Sequence, residues 1–206
     1  CHRFVSHVTG FATFFGYEAS QFQFSRAFGI LAVPLFFLLG AMLSAQLVDI
    51  RIKRKMKPRY YTAFGVMSFL ILSILLGGIS GSFGNFGEPL ELAGNYMLLA
   101  LLCLTCGIQN GTITSVSKSV VRTTHLTGIT TDLGIGIMRI MNKNHLSEDL
   151  QNERRANLMR MGLIGSFVLG SVVAGFVFRH FEYYGFILPA MTSTGLFLLM
   201  LFFQRR

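Results

Sequence analysis

Gly107 to Gly134 reads GIQNGTITSVSKSVVRTTHLTGITTDLG, and the way this stretch is read decides the fold. It joins the polar end of an apolar run to a second, threonine-rich run, through a loop carrying Lys118 and Arg122. Its motif recurs near the start of the chain. Ser6-His7-Val8-Thr9-Gly10 matches Thr124-His125-Leu126-Thr127-Gly128. Farther on, Leu39-Gly40-Ala41 with Ser44-Ala45 matches Leu169-Gly170-Ser171 with Ala174-Gly175, and Tyr60-Tyr61 matches Tyr183-Tyr184. Landmarks repeated in one order are the signature of two copies of a unit. We expect repeat 1 over 1–80, without an opening helix, and repeat 2 over 93–206.

Composition sets the class. The chain of 206 residues is 52% hydrophobic and only 13% charged, where a soluble domain carries about a quarter charged residues. Several apolar runs reach or approach the ~20 residues that a membrane helix needs. The reading is therefore an all-α, polytopic transmembrane helix bundle, a single integral membrane domain whose partner is the lipid bilayer. The net charge of +9 does not indicate nucleic acid. The basic residues sit between apolar runs, as the positive-inside rule requires, and no aromatic-basic surface accompanies them. Three cysteines, Cys1, Cys103 and Cys106, imply no disulfide framework.

Ala27 to Val48 (AFGILAVPLFFLLGAMLSAQLV) is the strongest span. Pro34 is tolerable there because neighbouring helices can re-satisfy a freed carbonyl. Gly40 and Ser44 fall one turn apart, a spacing that lets two helices approach closely. The 49–59 loop then sets Arg51, Lys53, Arg54, Lys55, Lys57 and Arg59 against Asp49 alone, which places it in the cytoplasm. Further spans are expected over 60–80, 93–116, 161–178 and 184–203, the last two as a hairpin, with an interfacial helix over 142–160. Leu126 to Met141 would reach about 24 Å against a hydrocarbon core of about 30 Å. If it spanned, the basic residues would divide nearly evenly between the two sides. The positive-inside rule favours a broken or re-entrant Thr-Gly helix, which makes the two repeats inverted and gives five spans.

These residues carry a resemblance. Gly107-Ile108-Gln109-Asn110, Arg122-Thr123-Thr124 leading into Leu126-Thr127-Gly128, Val8-Thr9-Gly10, and Leu39-Gly40-Ala41 before a basic loop are similar to the YoaK-like family. That family comprises small polytopic bacterial membrane proteins of unknown function. The resemblance covers essentially the whole chain and implies a bacterial plasma (inner) membrane location. It also implies a first helix, with a Gly-x-x-Asp motif, ahead of Cys1. Where the family has Asn after the Thr-Gly pair, this chain has Phe11 and Ile129.

The candidate binding residues are those whose polarity is costly in a membrane. Gln109 and Asn110 either contact a solute or ion or hydrogen-bond between helices. Thr123, Thr124, His125, Thr127, Thr130, Thr131 and Asp132 form the densest polar cluster, and Gly128 at the mouth of a broken helix would free backbone groups for a ligand. Asp132 either coordinates a cation, relays a proton, or pairs with Arg122 or Arg139. His7, Thr9 and Gly10 hold the equivalent positions of repeat 1, and the two groups are expected to converge at the repeat interface. His7 and His125 alone make a poor metal site, since zinc takes three or four protein ligands. Cys103 and Cys106 have dithiol spacing but lie in an apolar helix, where nothing lowers a thiol pKa. No nucleophile-base set, phosphate loop or metal cluster is visible, so neither an enzyme nor a cofactor is indicated. Transport of a small solute or ion is the first functional reading, and a non-transporting membrane scaffold is the alternative.

Overall fold

The computed structural model describes residues 6–87, 93–117, 126–142 and 150–205. Among these the regular secondary structure is entirely helical, with no strand. Helix α1 spans Val8–Ser20 and turns through Phe22, at φ +59°, into α2 (Phe24–Ser44). A π-helical turn (Ala45–Asp49) and the short α3 (Ile50–Lys53) extend α2 to one rod of 30 residues, Phe24–Lys53. At 1.5 Å per residue this rod is about 45 Å long, enough to pass the hydrocarbon and both headgroup layers. Then follow α4 (Tyr60–Ile79), α5 (Ala93–Val116), α6 (Leu126–Met141) and α7 (Leu150–Phe181). A 3-10 turn (Glu182–Phe186) leads to α8 (Ile187–Arg205).

Helix α5 organises the packing, because each of the three buried clusters among the described residues includes it. Leu99 and Cys103 join Phe11, Ile30 and Val33 of α1 and α2. Ile108 joins Val48, Ala63, Met67 and Leu70. Leu98 joins Ile74, Leu75, Phe83, Tyr183 and Phe186 at the other end. So α5 lies between α2 and α4, while α1 packs on α2, α8 runs along α4, and α6 packs on α7. The outward faces are apolar: Leu35, Leu38, Phe69, Leu76, Leu169, Phe176 and Met191 are all exposed. Among the described residues four helical segments are long and apolar enough to cross a membrane: Phe24–Lys53, Tyr60–Ile79, Gly94–Val116 and Gln151–Gln204. Lipid is a favourable solvent for such faces, so the helices are held by close packing and hydrogen bonds rather than by expulsion of water.

Two elements differ from the sequence expectation. The separate interfacial helix and the span from Met161 are one continuous helix, α7. The pattern turns from charged to apolar near Met161, but no residue there ends a helix, and Gly162 and Gly165 are tolerated. The expected 161–178/184–203 hairpin is joined by the 3-10 turn, at which Glu182 has φ +47°. Its second arm, α8, takes α4 as its principal neighbour.

Candidate functional site

Among the described residues, polar side chains of the apolar bundle gather at three places. The first is the seam between α2 and α5. Gly40 and Gly107 bring the two backbones together: a Cβ on Gly40 would collide with the carbonyl oxygen of Leu104 and lie 2.9 Å from the Ile108 nitrogen. A Cβ on Gly107 would collide with the Phe37 carbonyl, and one on Gly111 would lie 2.9 Å from Ser44 Cβ. That closeness lets Ser44 Oγ and Thr112 Oγ1 meet at 2.9 Å in the buried interior. The Thr112 hydroxyl donates its one proton to the Ile108 carbonyl at 2.8 Å, so Ser44 is the donor across the seam. Asn110 is also buried, at 7% exposure, whereas Gln109 is exposed.

The second place is α6. Ile129 and Gly136, seven residues apart and so on one face, are buried. Thr127, Gly128, Thr130 and Thr131 are exposed around the rest of the helix, and Thr131 Oγ1 donates to the Thr127 carbonyl at 2.9 Å. Asp132 lies at the edge of the buried face and is exposed. Among the described residues it makes no ion pair, since Arg139 engages Glu153 instead, at 3.3 Å.

The third place is the joint between α6 and α7, which the sequence reading missed. Arg160 Nη1 donates to Glu153 Oε1 at 2.7 Å and also to Asn157 Oδ1. Arg139 closes the group from α6. The hydrogen bond from Arg160, followed by that from Arg139, holds the Glu153 carboxyl below the usual glutamate range against the opposing effect of desolvation. Glu153 lies outside the apolar run, which begins at Met161. Gly136 makes room for this cluster, because a Cβ there would collide with Asn157 Oδ1 and Glu153 Oε1. Asn157 is 4% exposed, and its Nδ2 has no partner among the described residues. The available signal was the i, i+4, i+7 spacing of Glu153, Asn157 and Arg160, which puts all three on one helical face.

At the N-terminal motif, His7 precedes α1 and its carbonyl accepts from the Gly10 N–H at 2.9 Å. His7 and Thr9 are exposed, and the Thr9 carbonyl accepts from Thr13 Oγ1 at 3.1 Å. Thr124 and His125, with Arg122 and Thr123, lie outside the described residues. His7, Thr9 and Gly10 are thus carried by α2 through α1, and Thr127, Gly128 and Asp132 by α7 through α6. Asn110 sits on α5, the helix most closely packed on α2. Cys103 is buried and Cys106 half-buried in α5, both unlinked. No group of three His, Cys, Asp or Glu side chains suited to a metal occurs among the described residues.

The architecture is that of an all-helical protein whose apolar helices are suited to a membrane. Residues 1–200 match the family described as "Protein of unknown function (DUF1275)", and the chain belongs to that family. No match was found among curated proteins or among solved structures.

Proposed function

We propose that this protein is a multi-pass protein of the bacterial inner membrane, of the YoaK-like kind. In this reading it moves a small solute or ion along the exposed side of α6 and performs no covalent chemistry. The observation that carries it is Asp132, exposed on α6 with no ion-pair partner among the described residues. An Asp facing lipid at a helix centre is unfavourable by about 2.5–3.5 kcal/mol, so the residue belongs against water or a solute. Thr127, Thr130 and Thr131 supply further oxygens on the same helix. The 16 residues of α6 suit a re-entrant segment better than a span. Two inverted repeats fit this reading. In each, a short Thr-Gly helix packs on a long apolar one, α1 on α2 and α6 on α7, and the last long helices of the two, α4 and α8, pack together. Short or interrupted helices at corresponding positions are the pointer to a transport site in such repeats.

The test is flux in proteoliposomes over a panel of alkali cations, protons and small neutral solutes. Flux above that of empty liposomes, reduced at least tenfold by Asp132→Asn with helicity retained, is the expected result. Flux equal to that of empty liposomes for every solute sinks the transport reading. A scaffold role then takes its place, which the α2–α5 seam favours. There the polar side chains Ser44 and Thr112 are spent on each other.

A further inference from the structure

We propose that the basic loop after α3 forms a binding pocket for the phosphate of an anionic membrane lipid. The cavity is about 400 Å³ and is lined by Arg51, Lys57, Pro58, Arg59, Tyr61, Phe203 and Gln204. A cytoplasmic loop needs basic residues only to set topology, and for that purpose it can remain slack. This loop is built. The Arg59 N–H donates to the Leu47 carbonyl at 3.0 Å, and Arg51 Nε donates to the Lys57 carbonyl at 2.8 Å. From α8, Gln204 Nε2 donates to the Pro58 carbonyl at 2.9 Å while its Oε1 accepts the Tyr61 N–H at 3.1 Å. Gln204 therefore locks the loop, the start of α4 and the end of α8 into one wall.

The charge of that wall is unbalanced. Arg51, Lys57 and Arg59 contribute three cations, and among the described residues no carboxylate lies within ion-pair distance of any of them. Asp49, the acid nearest in sequence, pairs with Lys53 at 2.9 Å. The N-terminus of α4 and the C-terminus of α8 meet here, and their partial charges offset, so the side chains decide the field. Arg51 is fixed through its Nε, Lys57 and Arg59 are held at the rim by their backbone, and three cations around one concavity suit an oxyanion. A lipid is the source that also explains the apolar side. Phe203 is 64% exposed, and Leu199 and Leu196, four and seven residues before it, are exposed on the same face of α8. This strip runs from the pocket into the apolar part of the helix, where an acyl chain would lie. A free phosphate has no use for it.

The experiment uses the whole chain purified in a neutral detergent. Phosphatidylglycerol is titrated in and counted by native mass spectrometry, against phosphatidylcholine and against inorganic phosphate. One phosphatidylglycerol should be retained in preference to phosphatidylcholine. Each cation near an anionic headgroup contributes about fivefold to affinity, so Lys57→Gln with Arg59→Gln should weaken retention roughly 30-fold. The double variant Arg54→Gln with Lys55→Gln removes the same charge outside the pocket and should change retention little. Lys57→Arg with Arg59→Lys should restore it, which excludes misfolding as the cause. Equal losses in the two neutralised variants would overturn the proposal in favour of general loop charge. Failure to prefer phosphatidylglycerol would overturn it outright. Tight binding of inorganic phosphate that Phe203→Ala leaves untouched would overturn the lipid as the source.

Discussion

Gly40→Ala is the sharpest probe of the bundle, because the added methyl meets backbone rather than side chains. Its Cβ would collide with the Leu104 carbonyl oxygen and lie 2.9 Å from the Ile108 nitrogen and 3.1 Å from Gly107 Cα. None of these atoms can rotate away, so α2 and α5 must part until the contacts reach the ordinary 3.4–4 Å. Overpacking of this kind costs about 3 kcal/mol, the upper end of the usual range. The parting also stretches the 2.9 Å Ser44–Thr112 hydrogen bond, worth about 0.6 kcal/mol inside a membrane bundle. Against this, Ala is a better helix former than Gly by about 1 kcal/mol. The net expectation is a loss of about 2–3 kcal/mol. Reversible unfolding in mixed micelles measures it. Gly16→Ala is the control: a Cβ there has nothing within 4 Å, and the helix-propensity gain of up to about 1 kcal/mol should stand alone. If Gly40→Ala is as stable as Gly16→Ala, the two backbones are not in contact and the seam is wrongly drawn.

A double-mutant cycle of Ser44→Ala and Thr112→Val should give a coupling of about 0.6 kcal/mol; a coupling indistinguishable from zero would remove the hydrogen bond from the account. The Glu153 carboxyl is held below its ordinary value of 4.5 chiefly by Arg160, so its contribution is complete above that value and is lost as pH falls through the lower folded pKa. Glu153→Gln should accordingly flatten the acid limb of the stability curve and leave its alkaline side unaltered, as unfolding between pH 2 and 7 would show. For topology, single cysteines replacing Lys53 and Asn85 should be labelled from opposite sides of intact cells, the former only after permeabilisation. Labelling of the residue-53 cysteine from outside reverses the orientation.

The parts of the fold that were legible in the sequence are those governed by local pattern. The short run expected over 126–141 coincides with α6, Leu126–Met141. The Gly40/Ser44 spacing marked a face for close approach, and that is the face α5 occupies. What covered it was hidden. Gly107 and Gly111 sit in a polar-looking stretch that drew attention as a ligand motif, and only tertiary contact reveals them as the other half of the seam. Gln109 and Asn110 look alike in sequence, both polar at the end of an apolar run, yet Asn110 is buried and Gln109 beside it turns outward. The Glu153–Asn157–Arg160 face obeyed helical periodicity in plain view, but a search for apolar stripes passes over a polar one. The locking of the loop by Gln204 joins positions more than a hundred residues apart, so no local rule could have shown it.

The seam also sets a timetable for biogenesis. Ser44 and Thr112 are separated by 68 residues, and α5 has not been synthesised when α2 leaves the ribosome. At about 5–20 residues per second, α2 waits roughly 3 to 14 s with its glycine and serine face turned to lipid or to the insertion machinery. Over that interval nothing in α2 and the loop behind it closes the Gly40 groove, and any nascent helix with a small-residue face is a rival for it. The Ser44 hydroxyl must meanwhile satisfy itself on its own helix. Fidelity of assembly therefore rests on the arrival of α5, the segment shared by the buried clusters of the described residues, and truncation before Ala93 should leave inserted helices that do not assemble.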